Sequence, residues 1–215
     1  MPPPIKIGHD RYPYPAELTA ARAALKALGH PLVGFAHELT VKGARFYISP
    51  GEPITSGGSS YFAVPLLQDS SIRFWFTIDL AFRTRTGSLV LDNVGILVLA
   101  GTLASEAREM FRAEWEAGES PHAQPHWHVY GSQLAEAFSI ESDEPGLRLT
   151  TSRVHFAMSA RWMDNDDVDG THHNIGTTAD GVKRWIAATL TYSKQQLEYV
   201  GRHAVKADGG PTFNI

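Results

Sequence analysis

Histidines cluster in one short stretch of this chain, and their side chains are the first candidates for chemistry. His122, His126 and His128 lie within seven residues, and His155 follows in a second segment with strand-like alternation. Imidazole titrates near neutral pH without help from its surroundings, and it is the commonest metal ligand in proteins. A catalytic or metal-binding role is therefore expected in this cluster before anywhere else.

The spacing of these histidines predicts that their rings share one surface. Residues two apart on a β-strand point to the same face, so a strand here places His126, His128 and Tyr130 together. In the second segment, Arg153 and His155 share the face opposite to their apolar neighbours. If the two strands are adjacent in one sheet, three imidazoles converge, with Arg153 and Tyr130 beside them.

Three converging imidazoles predict a metal site. A catalytic zinc ion takes three protein ligands and leaves a fourth position to water, whose pKa it lowers to near neutrality. We therefore expect His126, His128 and His155 to bind Zn²⁺ or another divalent transition metal, with His122 as a further candidate ligand. The function predicted from such a site is that of a small metal-dependent hydrolase.

Arg153 supports a second interpretation, in which no metal takes part. A permanent cation on the histidine face repels a divalent ion but attracts phosphate or carboxylate. One histidine would act as general base and another as general acid. Arg153 would bind the anion, and Tyr130 would donate a further hydrogen bond. These catalytic roles predict a phosphodiesterase or ribonuclease-like activity on a small or phosphate-containing substrate.

A third interpretation is non-catalytic. The chain would be the interaction subunit of a protein assembly and would present its aromatic-rich sheet or its proline-rich N-terminal arm to a protein partner. The histidines would then lie on an open or partner-covered surface, without an enclosed pocket. Convergence of the rings discriminates between this interpretation and the two enzymatic ones.

Composition narrows the classes of function further. The net charge of −4 at pH 7 argues against a broad basic face for nucleic acids. The chain contains no cysteine, which excludes disulfides and thiolate chemistry. No apolar stretch approaches the ~20 residues that a membrane-spanning helix needs, and the N-terminus does not resemble a secretory signal. A cytoplasmic location is therefore expected.

The predicted fold is α+β: a largely antiparallel β-sheet with a long central hairpin, packed by about three helices. Apolar and polar residues alternate over twelve positions from Ile72 to Arg83, which predicts a strand with one buried face. A turn at residues 84–87 and a more uniformly apolar strand over 89–100 complete the hairpin. Apolar stripes of helical period predict helices near residues 15–28, 103–117 and 179–200.

The ends of the chain are expected to lie outside the folded unit. The proline-rich residues 1–14 are predicted to form an arm, residues 15–205 a single α+β domain, and residues 206–215 a loose tail. Glycine, serine and proline dominate residues 50–60, which predicts a loop. Further strands are expected at residues 32–39, 44–49, 61–67, 125–131 and 147–162.

Overall fold

The computed structural model of the protein describes residues 15–40, 42–56, 59–67, 73–117, 125–130, 153–157 and 178–203. Within these ranges the chain forms two α-helices and nine β-strands. The helices are α1 (Ala16–Ala27) and α2 (Ala179–His203). The strands are β1 (Gly34–Thr40), β2 (Gly43–Ser49), β3 (Glu52–Ser56), β4 (Ser59–Leu67), β5 (Phe74–Arg85), β6 (Ser88–Ala100), β7 (Arg108–Glu116), β8 (His126–Tyr130) and β9 (Arg153–Ala157).

The nine strands form one antiparallel sheet. Seven of them follow one path in the order β1-β2-β5-β6-β7-β8-β9. Strands β2 and β4 both pair with the edge of β5 that β6 leaves open, β4 at its N-terminal end and β2 further along. Strand β3 completes the sheet by pairing with β4. This arrangement agrees with the predicted α+β class and its largely antiparallel sheet.

The β5–β6 hairpin is the centre of the sheet, as the sequence predicts. The two strands pair from Phe74 opposite Ala100 to Arg85 opposite Ser88. Thr86 and Gly87 form the two-residue turn with φ angles of 47° and 79°. Positive φ at both turn residues is what the tightest hairpin loops require, because it matches the twist of the strands.

One face of the sheet packs against both helices. On β5, the alternate residues Phe76, Ile78 and Leu80 are fully buried in this layer. The apolar stripes of the two helices cover them, which confirms the helices predicted near residues 15–28 and 179–200. The helix residues of this core are Leu18, Ala21, Ala24, Leu25, Val182, Trp185, Ile186, Leu190 and Leu197.

The opposite face of the central strands is buried as well, so the prediction of one buried face for β5 is corrected to two. Trp75, Leu97 and Leu99 lie in a second apolar cluster that β3, β4 and a 3₁₀ turn at Ala104–Glu106 cover. This cover explains why β6 is apolar on both sides. Further along the same face, the buried side chains are polar.

The helix predicted over residues 103–117 is wrong. After the 3₁₀ turn the chain forms β7, which pairs with β6 on one edge and β8 on the other. Ala113 and Trp115 are buried in the helix-facing core, whereas Arg112 and Glu114 alternate with them. In this segment the alternation of apolar and polar residues is thus a better guide to the structure than the helical spacing of its apolar residues.

The loop predicted over residues 50–60 is also wrong in part. Glu52–Ser56 forms β3 and pairs with β4. Burial of Ile54 with Ala63 in the second apolar cluster stabilises this pairing. The predicted arm, residues 1–14, and tail, residues 206–215, lie outside the described residues. Among the described residues, no helix combines the length and apolarity needed to cross a membrane.

Candidate metal centre

The two histidine-bearing strands are neighbours in the sheet. Strand β8 pairs with β7 on one side and with β9 on the other. In this register His126 lies opposite Glu114, and His128 lies between Arg112 on β7 and His155 on β9. Residues paired across strands occupy the same face of a sheet. The register therefore brings three histidine positions and one carboxylate to one region.

Apolar packing on the other face fixes which way the histidines point. Trp127 packs edge-to-face against Phe111 with ring centroids 5.4 Å apart, and both rings border the helix-facing core. Because side chains alternate along β8, His126 and His128 must point away from the helices. A slip of one residue in this pairing would exchange the two sets.

The two imidazoles and the carboxylate form a tight cluster. Nε2 of His126 and Nε2 of His128 are 2.6 Å apart, and the two rings stack at 25°. Nε2 of His128 lies 3.2 Å from Oε2 of Glu114. His126 is 2% exposed and His128 is 5% exposed, so the cluster is buried.

These three side chains fit a divalent transition metal. Each offers one ligand atom, and the three atoms lie within 4.8 Å of one another. Ligands of a tetrahedral zinc ion, at bond lengths of about 2.1 Å, stand roughly 3.4 Å apart, a value that the separations here bracket. Two imidazole nitrogens and one carboxylate oxygen are also a known catalytic zinc ligand set.

Neighbouring groups keep Glu114 ionised and hold its orientation. Its Oε1 accepts hydrogen bonds from the Asn93 amide and from Nη2 of Arg112, each at 2.9 Å. Burial opposes ionisation, but the charge of Arg112, the Asn93 hydrogen bond and the two imidazoles outweigh it, so the pKa of Glu114 is lowered. Oε1 is thereby engaged, and Oε2 faces His128.

A chain of alternating charges extends from Glu114 across the sheet. Arg112 also donates to Oδ1 of Asp79 at 3.4 Å, and Oδ2 of Asp79 accepts from Arg45 at 2.8 Å. Arg45 in turn donates to the hydroxyl of Tyr61 at 3.1 Å. The two arginines and two carboxylates of this chain balance only when Glu114 is counted with them, so Arg112, Asp79 and Arg45 together add one positive charge beside the cluster.

The structure assembles part of the site that the sequence predicts. His126 and His128 are in contact, and the backbone of His155 pairs with that of His128. Tyr130 and Arg153 pair with each other two positions further along. The structure describes only the backbone of His155, Tyr130 and Arg153. His122 lies outside the described residues.

Glu114 was missed by the sequence interpretation. The helix wrongly predicted over residues 103–117 placed this carboxylate on a helical surface, away from the histidines. The signal that finds it is the alternation of Phe111, Ala113 and Trp115 with polar residues. That pattern predicts a strand, and a strand directly before the histidine segment is a natural neighbour of it.

A separate cleft of about 400 Å³ opens between the two helices and β4. Leu28, Leu66 and Leu190 line its apolar part, and His30 and Lys194 belong to its polar part. Burial lowers the pKa of His30, and the charge of Lys194 lowers it further. His30 also packs edge-to-face on Phe76 with ring centroids 5.1 Å apart.

Comparisons of the chain with protein-family models, with curated proteins and with solved structures found no match. The function is therefore inferred from the site alone.

Proposed function

We propose that Glu114, His126 and His128 bind a divalent transition metal, with zinc as the first candidate, and that the protein is a metal-dependent hydrolase. The observation that carries this proposal is the convergence of one carboxylate oxygen and two imidazole nitrogens within 4.8 Å. Burial of both histidines favours the same interpretation, because the attraction between a metal ion and its ligands is stronger where water is excluded.

The chain's own residues prepare the ligand atoms. Metal binding requires an ionised carboxylate and imidazole nitrogens that carry no proton. The lowered pKa of Glu114 provides the first. The hydrogen bonds from Asn93 and Arg112 hold that carboxylate from behind, as outer-shell partners do in known metal sites. A metal held here would supply a water molecule of lowered pKa as the nucleophile.

Binding of His155 would determine whether a coordination position is left for water. We keep His155 as a proposed ligand because it pairs with His128 in the register. With His155 the set holds four protein ligands. Four ligands fill a tetrahedral zinc site, which is typical of a structural centre, whereas three leave a position for water. A six-coordinate ion would keep coordination positions for water with either three or four protein ligands. Counting the bound ligands thus discriminates between a catalytic and a structural zinc.

The proposed substrate is small and carries a phosphate or carboxylate group. Arg153 and Tyr130 pair two positions from His128 and His155 in the register of β8 and β9, and this pairing supports a role for both residues beside the metal ligands. An arginine can bind such an anion through two parallel hydrogen bonds. The cytoplasm remains the proposed location.

A second candidate function is metal-free acid–base catalysis, and the contact between the imidazoles favours it. At 2.6 Å, one Nε2–H must donate to the other ring's lone pair. Glu114 accepts at 3.2 Å from His128 when that ring carries the proton. Both contacts involve Nε2 of His128, so one proton there is shared between Glu114 and His126 in a short relay, and His126 would act as the general base when Glu114 holds that proton.

Metal titration tests the first candidate against the second. Full-length protein without a histidine tag, stripped with chelator, would be titrated with Zn²⁺ in a calorimeter. We expect one bound ion per chain, with binding abolished in Glu114→Gln, His126→Ala and His128→Ala. His37→Ala is the matched control, because His37 is a strand histidine that packs at a tilt against Phe46, on β1 at the opposite end of the strand order.

Two results would reject the metal centre. One is a folded wild-type protein that binds no Zn²⁺, and the other is binding that survives in all three variants. Circular dichroism of each variant establishes that it is folded before its affinity is interpreted. Rejection of the metal would leave the acid–base relay, in which His126→Ala abolishes turnover of a phosphodiester substrate without any dependence on added metal.

A further inference from the structure

Gly95 occupies a position where a strand would ordinarily favour another residue. It lies in the middle of β6, directly between Asp79 on β5 and Glu114 on β7. Glycine in a strand interior costs stability and often marks a close approach by another group. Gly87 in the hairpin turn has a positive φ, but Gly95 is not among the residues with that conformation. Its backbone therefore does not require glycine.

The space above Gly95 is filled by the charged chain. A Cβ atom at this position would stand 2.5 Å from Nη2 of Arg112 and 2.7 Å from Oδ1 of Asp79. These are the two atoms that form the hydrogen bond between Arg112 and Asp79. Because glycine has no side chain, it leaves the space in which the Arg112 side chain passes over β6 to reach Asp79.

Arg112 is held between two carboxylates. The same Nη2 atom donates to Asp79 at 3.4 Å and to Glu114 at 2.9 Å. Asp79 is anchored on its other side by Arg45, whose guanidinium lies 5.2 Å from the centre of the Tyr61 ring. Asp79 thereby offsets part of the charge of Arg112, which would otherwise act more strongly on Glu114.

We propose that Asp79 and Gly95 are positioning residues for the metal centre: together they hold Arg112 where it orients Glu114 without competing with the metal for that carboxylate. This inference rests on the proposed metal-binding function and names the residues that tune it. Without the Asp79 charge, Arg112 interacts more strongly with Glu114 and opposes a divalent ion there. With a methyl group at position 95, Arg112 and Asp79 cannot both keep their places.

Cobalt titration of the full-length protein tests this inference. Co²⁺ substitutes for zinc, and its visible absorption reports the ligand set. We expect Asp79→Asn and Gly95→Ala each to weaken Co²⁺ binding by about 10- to 100-fold, the range for outer-shell changes, and to alter the absorption bands. Gly34→Ala is the matched control, because a Cβ at this strand glycine meets only Ser49 O at 3.5 Å.

The possible outcomes separate the two claims. If the wild type binds Co²⁺ and both variants bind within twofold of it with unchanged bands, the positioning role is rejected while the metal centre stands. If the wild type binds no Co²⁺, both are rejected. Asp79→Asn is nearly isosteric, so it keeps the test decisive if Gly95→Ala fails to fold. A loss in both variants, absent from Gly34→Ala, supports the inference.

Discussion

The two faces of the central sheet are buried by different means. On the helix-covered face, β5 contributes Phe76, Ile78 and Leu80, which need only to be kept from water. On the opposite face the same strand contributes Asp79, whose burial depends on two named arginines. Apolar burial is non-directional and spread over many contacts, whereas each buried charge depends on particular partners. Apolar packing is thus concentrated on one face, and the proposed metal centre lies on the other.

The largest effect is expected on the helix-covered face. Phe76→Ala removes a fully buried ring and should lower the free energy of unfolding by about 3–5 kcal/mol, because it leaves a cavity in a close-packed core. Equilibrium urea denaturation measures this. Zn²⁺ affinity, determined where the variant is still folded, should stay near the wild-type value. A loss below about 1 kcal/mol would contradict the role assigned to this face.

On the polar face, the contribution of Glu114 to the free energy of unfolding should depend on pH in the acidic range. The pKa of Glu114 is lowered from its ordinary value of 4.5 in the folded protein. Its contribution to stability is therefore complete above pH 4.5 and is lost as the pH falls through the folded-state pKa. Without metal, the wild type should lose stability more steeply below pH 4.5 than Glu114→Gln does. Urea denaturation at several pH values measures both slopes, and equal slopes would contradict the charged network.

The sequence predicts those features of the two faces that depend on the local alternation of residues. The alternation in β5 identifies the hairpin and its helix-facing residues, and the spacing of His126 and His128 identifies their shared face. The proposed metal centre could not be completed in this way, because Glu114 comes from a strand that was interpreted as a helix. Partners of buried charges are set by strand register, as for Asp79 and Arg112, and register joins segments far apart in sequence.

A smaller effect is expected at the helix-side cleft, where burial and a nearby lysine both disfavour protonation of a histidine. Burial and then Lys194 lower the pKa of His30 from 6.5. Neutral His30 is favoured in the folded protein, so stability falls as the pH drops from 6.5 towards the folded-state pKa. Lys194→Gln should raise the pKa of His30 and reduce this loss. Titration of the His30 ring signal by NMR measures the shift, and a lower pKa in the variant would refute its stated cause.

The smallest effect is expected where charges are paired in solvent. Arg83 and Asp92 form an ion pair at 3.3 Å with side chains that are 49% and 42% exposed. Water screens such pairs, so Arg83→Ala should cost no more than about 0.5 kcal/mol. Thermal or urea denaturation measures it. A loss above about 1 kcal/mol would contradict the view that buried ion pairs contribute more to stability than exposed ones do.

Direct observation of the ligands tests the central claim best. X-ray absorption at the zinc edge, recorded on zinc-loaded full-length protein, reports the type, number and distance of the atoms bound to the ion. We expect two or three imidazole nitrogens and one carboxylate oxygen at about 2.0–2.2 Å, and no protein-bound zinc in the His126→Ala, His128→Ala double variant. A shell of oxygen atoms alone, or a spectrum that this double variant leaves unchanged, would contradict a metal centre at Glu114, His126 and His128.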